Sequence, residues 1–377
     1  MAAELPRVTA ASEAGQLQHR ARDGGGLKAA GPVTKRVHLV AAASLLCAAA
    51  VSVLMTGCAT ARDSRAVAQS STATLNSWRE GATRTAIESF VARTTDPASP
   101  DFVPEAERIA VFDNDGALWA EQPMYVQLAF IVDRVKALRA AHPEWESTEP
   151  FASLLKGDAK AVAAQGEPAL GALVAATHGG MTDEEFRATV RAWLATARHP
   201  TTGLRYDEMV YRPMVEMLAY LRAHGYRTFI VSGGGVDFVR AFASEAYGIP
   251  SDQVIGSTAK YRYEVRDGVA TVVKTGEIDF VDDGKGKPVG IASRIGMRPR
   301  IAFGNSDGDF EMLAWTTAGQ GARLGVLIHH TDAAREWAYD RASHIGKLSR
   351  GLDEAPARGW VVVDMARDWA EIFGKVQ

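Results

Sequence analysis

At 377 residues the chain has room for two modest domains and an accessory segment. Its 47% hydrophobic and 23% charged content is that of an ordinary globular protein, and a net charge of -3 leaves no basic footprint for nucleic acid. The two cysteines, Cys47 and Cys58, both lie near the N-terminus, which excludes a disulfide framework or a thiolate zinc site elsewhere.

Residues 1–34 are rich in Ala, Gly and charge, have no apolar period, and read as disordered. Lys35-Arg36 precede an apolar run from Val37 to Met55, followed by Thr56-Gly57-Cys58. Positive flank, hydrophobic stretch and small residues make 35–57 a secretory signal. The ending Leu54-Met55-Thr56-Gly57-Cys58 resembles the lipobox of bacterial lipoproteins, with Met55 where leucine is usual. That resemblance implies cleavage before Cys58, lipidation of Cys58 and a periplasmic protein anchored to a membrane. An uncleaved anchor is the other reading, since about 20 apolar residues span a bilayer. Residues 58–77 then read as a flexible tether, with Ala, Ser and Thr prominent.

The globular part opens with a helix over Ser77–Thr94, carrying Trp78, Ile87, Phe90 and Val91. Ile109–Phe112 is a short, wholly apolar run bounded by polar residues, which predicts a buried strand. It runs straight into Asp113-Asn114-Asp115-Gly116. Ligands of open α/β sheets sit beyond the carboxyl ends of strands, so Asp113 and Asp115 would face a site. A plain Asn-Asp-Gly turn is the alternative for that tetrapeptide in isolation. Helical patterns follow over Pro123–Ala141, Pro150–Ala164, Pro168–Thr177 and Thr182–Ala197, the last opened by a Thr182-x-x-Glu185 capping box. No strand pattern interrupts them, so 122–207 reads as a helical cap inserted between two strands. The core is then 78–121 with 208–377.

Within that second segment, Pro213–Ala223 is a predicted helix, and Tyr226–Val231 a buried strand ending in Ser232-Gly233-Gly234-Gly235. Val236–Tyr247 reads as one helix. Val254–Asp279 alternates polar and apolar residues around an Asp267-Gly268 turn, the pattern of a hairpin. Val289–Ile295 is helical, Arg300–Phe303 a strand, and Gly304-Asn305-Ser306-Asp307-Gly308-Asp309 leads into a helix from Phe310. Leu324–Ile328 and Trp360–Val363 are late strands. Strands alternating with helices predict a doubly wound, mostly parallel α/β sheet. There are no internal repeats.

Four stations fall at strand ends or beside them: Asp113/Asp115, Ser232, Lys287 and Asn305–Asp309. A phosphate needs a hydroxyl, an ammonium and backbone N–H groups to offset its charge. A hard cation such as Mg²⁺ takes a few oxygen ligands and keeps several waters. In order and spacing, Asp-x-Asp-Gly-x-Leu, the Ser, the Lys and Gly-Asn-x-x-x-Asp resemble the haloacid dehalogenase superfamily of phosphohydrolases. The resemblance covers about 105–330, and the helical insertion and hairpin look most like its phosphoserine phosphatase branch. It implies an aspartyl-phosphate formed on Asp113 and proton transfer by Asp115. It also implies phosphate binding by Ser232, Gly233 and Lys287, and Mg²⁺ held by Asp113, Asp115, Asn305 and Asp309. The substrate would be a small phosphate monoester, and no protein partner is indicated. Two residues depart from the pattern: Ala117 stands where Thr or Ser is usual, and Asn305 where an acidic residue is usual, with Asp307 able to compensate. These departures support the rival reading, a lipoprotein that binds a phosphorylated ligand without turning it over. Phosphoryl transfer to another alcohol would use the same residues.

Other candidates have plainer readings beside the functional ones. Glu121 could meet a substrate amine or cap a helix in solvent. Arg205 could meet a substrate carboxylate or sit at the surface. His329-His330 lack the further His or Cys of a transition-metal site. Trp193, Trp315 and Trp337 fit helical apolar patterns. Lys285 rivals Lys287, which is preferred because Pro288 and a helical run follow it.

Overall fold

The structure, a computed structural model, describes residues 73–374. The signal, Cys47, Cys58 and nearly all of the tether lie outside the described residues. Among the described residues no helix is long and apolar enough to cross a membrane.

Eight strands form the sheet: β1 (Ile109–Phe112), β2 (Arg227–Gly235), β3 (Val254–Arg266), β4 (Val269–Phe280), β5 (Ile301–Gly304), β6 (Leu324–Thr331), β7 (Ala338–Tyr339) and β8 (Val361–Asp364). Their order is β4-β3-β2-β1-β5-β6-β7, with β8 also paired to β6. β1 lies between β2 and β5, parallel to both, and β5–β6 and β6–β8 are parallel too. The expected doubly wound, mostly parallel α/β sheet is the fold observed.

All four side chains of β1 are buried, because both faces of the sheet are covered. Ala110 and Phe112 join one apolar layer, Ile109 and Val111 the other. Phe112 stacks on Phe303 of β5 at 4.3 Å between ring centroids, which pins the ends of the two central strands together.

Between β1 and β2 the chain is helical, as expected. The main helices are Val126–Leu138, Gly166–His178 and Asp183–Leu194. The last begins with the anticipated capping box: Glu185 N donates to Thr182 Oγ1 at 3.1 Å, and Thr182 N to Glu185 Oε2 at 2.8 Å. The β3–β4 hairpin turns at Asp267 and Gly268, both with positive φ. Its far strand packs on the inserted helices. Gly276, at φ +87°, brings its backbone so close to Ala175 that a Cβ would sit 2.8 Å from the Ala175 Cα. Gly180 N donates to Lys274 O and Lys274 N to Met181 O, at 2.8 and 2.9 Å.

Several elements differ from expectation, among them the helix read over Pro150–Ala164, which is two pieces, Phe151–Leu155 and Ala159–Ala164. The helix read over Val236–Tyr247 is two short ones, Val236–Arg240 and Ala243–Tyr247. It breaks at Phe242, whose ring stacks under Trp119 at 4.4 Å. β2 runs past Val231 to Gly235, with its pairing to β3 shifting register between Ser232 and Gly235. The helix Arg350–Arg358 was not anticipated, because it carries Pro356 inside and few apolar residues.

Candidate active site

Asp113 leaves β1 still tied to the sheet, its N–H donating to Phe303 O at 2.9 Å. The chain then closes on itself: Leu118 N and Trp119 N both donate to Asn114 O, at 2.8 and 3.2 Å. Gly116 makes this possible. Its φ is +78°, and a Cβ there would lie 2.0 Å from Asn305 Nδ2 and 2.5 Å from Glu121 Oε1. The turn therefore holds Asp113 and Asp115 at the carboxyl end of the sheet, as the sequence predicted. Trp119 Nε1 donates to Asp115 Oδ1 at 2.9 Å, an orienting bond that sequence reasoning missed. Burial raises the Asp115 carboxyl, and the Trp119 bond opposes the rise.

Lys287, rather than Lys285, reaches the site. It is 2% exposed and donates to Asp113 Oδ1 at 2.5 Å, Asp309 Oδ1 at 2.6 Å and Val231 O at 2.9 Å. Burial would lower the ammonium, yet the Asp113 and Asp309 carboxylates hold it above its ordinary value. Burial, then Asp309, pushes the Asp113 carboxyl up against the pull of Lys287. An ammonium has three donors and all three are taken. Lys287 is thus placed to hold the two carboxylates at the end of β1, with no N–H left free.

Ser232 is fully buried at the register shift of β2, and its Oγ accepts from Gly234 N at 3.0 Å. The irregularity turns the Gly233–Gly235 backbone into the same cavity as Asp113 and Asp115. Packed against Gly116, Asn305 donates through Nδ2 to Glu121 Oε1 at 2.8 Å. Its Oδ1 is buried with no hydrogen-bond partner. An amide oxygen left bare among carboxylates is the donor a hard cation takes, so Asn305 fits the expected Mg²⁺ site. Among the described residues no trio of His, Cys, Asp and Glu forms a metal cluster. A ligand set relying on an amide and a backbone carbonyl would not form such a trio.

Asp309, expected as a metal ligand, is engaged otherwise. Oδ1 accepts from Lys287, while Oδ2 accepts from Asn305 N at 2.9 Å and Ser306 N at 3.1 Å. It orders the loop that carries Asn305. Asp307, the possible substitute, turns away: its carboxylate accepts from Ser349 N, Arg350 N and Gly351 N at 2.9–3.2 Å. It therefore caps the helix Arg350–Arg358.

Glu121 is neither solvated nor free. It is 2% exposed and accepts from Asn305 and, at 2.8 Å, from Tyr339 Oη, while burial pushes its carboxyl well above the usual range. Arg205 pairs with Asp207 at 2.9 Å, outside the cavity. His330 is buried between Glu336, 3.1 Å from Nδ1, and Gly116 O, 2.8 Å from Nε2, so it braces the turn that carries Asp113 and Asp115. His329 meets Asp340 at 3.4 Å. Trp193 and Trp337 pack against the core as expected, and Trp315 against the second apolar layer. Ala117 is buried in the core.

Sequence reasoning missed two further residues of the cavity. Lys274 of β4 is 1% exposed, and only the tertiary fold buries a lysine in an alternating strand. His178 is buried with Nε2 unpartnered, and burial drives its imidazole down to about 3. Next to the site, Asp282 is buried with both carboxylate oxygens unpartnered and is pushed up by burial to about 7.

A sequence profile for haloacid dehalogenase-like hydrolases matches residues 110–314, more than half of the chain. The chain belongs to that family. The matched span begins in β1 and ends in the helix after Asp309, so it contains every residue that the sequence singled out for phosphate or metal. No curated protein matches its sequence. Among solved structures, a Bordetella pertussis protein of unknown function is 18% identical over 69% of this chain and 99% of its own, at a TM-score of 0.43. A probable phosphoserine phosphatase from Vibrio cholerae is 17% identical over 69% and 67%, at 0.34. A substrate-bound phosphoserine phosphatase is 17% identical over 67% and 97%, at 0.30.

Proposed function

We propose that this hydrolase cleaves small phosphate monoesters through an aspartyl-phosphate on Asp113. The reading rests on one observation above all: Lys287 joins Asp113 and Asp309 at the end of β1, one residue from Asp115. A pure binding module would have no need of a nucleophilic carboxylate beside a carboxyl raised by burial. In the first step an Asp113 oxygen bonds to phosphorus, the bond to the alcohol oxygen breaks, and Asp115 gives that oxygen its proton. In the second, Asp115 takes a proton from water, whose oxygen attacks phosphorus and frees the Asp113 carboxylate. Ser232 and the Gly233 backbone would meet the phosphoryl oxygens. Lys287 keeps Asp113 aimed and its charge offset.

Mg²⁺ held by Asp113, Asp115 and the bare oxygen of Asn305 would supply the positive charge that the phosphoryl group requires. The test is hydrolysis of p-nitrophenyl phosphate by metal-stripped protein, with Mg²⁺ restored stepwise. Turnover should need Mg²⁺ and fall by about 10³-fold or more in Asp113→Asn and Asp115→Asn. Metal-independent turnover, or an active Asp113→Asn, overturns the reading.

The Leu54–Cys58 sequence supports a second proposal, that the enzyme is tethered outside the cytoplasm by lipid on Cys58. Palmitate labelling in bacterial cells should mark the wild type and miss Cys58→Ser. Equal labelling of both, or of neither, contradicts it.

A further inference from the structure

The cavity that holds Asp113 and Asp115 extends to about 430 Å³, beneath the inserted helices and against the hairpin. Away from the catalytic end its wall sets a broad apolar face beside the Lys274–Asp237 pair and His178. Leu128 and Ile131 come from the helix Val126–Leu138, Val174 from Gly166–His178, Ile278 from β4, and Phe186 and Phe238 complete it. Hydrolysis at phosphorus requires none of these, so they are there for the rest of the substrate.

Charge accounting narrows what that is. The lysines lining the cavity are Lys287 and Lys274, with no arginine beside them. Lys287 has no free donor. Lys274 donates to Asp237, to Asp183 at 3.3 Å and to Tyr261 Oη at 3.1 Å, which uses its three donors as well. Asp237 also takes Tyr261 Oη and meets Arg240 at 3.4 Å, so this cluster is closed on itself. The imidazole of His178 adds no charge. The Thr177 hydroxyl donates to Leu173 O at 2.7 Å, so His178 Nδ1 must be the donor in its 2.6 Å contact with Thr177 Oγ1. Nε2 then keeps a lone pair and no proton. A carboxylate on the departing alcohol would be buried here with no cation to meet it, a costly arrangement.

We propose that this cavity selects phosphate monoesters of uncharged, apolar alcohols, aliphatic or aromatic, over esters whose alcohol carries a carboxylate. The inference rests on the phosphatase reading and adds to it the class of leaving group.

The test is kcat/KM for the full chain in Mg²⁺ on ethyl, butyl and hexyl phosphate, beside O-phosphoserine. All four release aliphatic alcohols, so aryl esters with their intrinsically better leaving groups do not blur the ranking. The expected result is a rise of about three- to fourfold per added methylene, carried mainly by KM. Hexyl phosphate should exceed phosphoserine by about tenfold or more. Val174→Arg, which places a cation on the apolar wall, should flatten the alkyl series and raise kcat/KM for phosphoserine. A flat wild-type series, or phosphoserine in first place, overturns the inference. If that turnover still disappears in Asp113→Asn, the phosphatase reading stands without it. No turnover of any ester overturns both.

Discussion

At Lys287, three N–H donors meet Asp113, Asp309 and the Val231 carbonyl, so removing the ammonium strands two buried carboxylates. Lys287→Met is expected to cost about 3–5 kcal/mol of stability, read from urea unfolding, as well as activity. Trp119→Phe keeps a ring against Phe242 but removes the donor to Asp115 Oδ1. That bond lowers the Asp115 carboxyl, so its loss should move the Asp115 limb of the kcat/KM profile to higher pH. Two buried groups act on stability in opposite directions. The His178 imidazole falls from 6.5 to about 3, so between those values the unfolded chain binds a proton that the folded chain refuses. Stability from this group is lost as pH falls through 6.5, by at most about 1.4 kcal/mol per pH unit. The Asp282 carboxyl rises from 3.8 to about 7, so the folded chain keeps a proton there that the unfolded chain has released. Its cost grows as pH climbs through that window and persists above it. Asp282→Asn should therefore raise stability at pH about 8 by more than about 1 kcal/mol, with little effect near pH 4. Unfolding curves at the two pH values check this.

The loop after β5 shows how far a sequence reads at the level of elements. Of its three oxygen-bearing candidates, the family resemblance favoured Asn305 and Asp309 as metal ligands and left Asp307 as a substitute. The fold ranks them by what each reaches. Asp309 takes Lys287 and the loop's own N–H groups, Asp307 caps a helix 42–44 residues later, and Asn305 is left with a bare oxygen. Asp307→Ala should then cost about 1–2 kcal/mol, the loss of a helix cap, and leave the Mg²⁺ concentration for half-maximal activity unchanged. Asn305→Ala should raise that concentration, and a Mg²⁺ titration of the two variants separates them. What depends on neighbours in sequence was legible: the apolar β1 stopping at Asp113, the Thr182–Glu185 box, the Asp267-Gly268 turn. What depends on partners distant in sequence was not. Arg350–Arg358 is held by Asp307, and Lys274 looks like a solvated lysine until Asp183, Asp237 and Tyr261 close around it.

For the molecule as a whole, the sheet order places β1 between β2 and β5, so Asp113, Ser232 and Asn305 issue from three adjacent strand ends. The helices inserted after β1 and the β3–β4 hairpin then enclose that point, so one architecture would supply both the proposed reacting groups and the proposed selecting walls. The proposed chemistry passes phosphorus through a covalent bond to Asp113. It is tested most directly by quenching the enzyme during turnover of a phosphate monoester, reducing with borohydride, and sequencing the peptides by mass spectrometry. An acyl phosphate is reduced to the alcohol, so the account predicts homoserine at position 113 and unmodified Asp115. Turnover with Asp113 unreduced, or with the modification on another carboxylate, contradicts it.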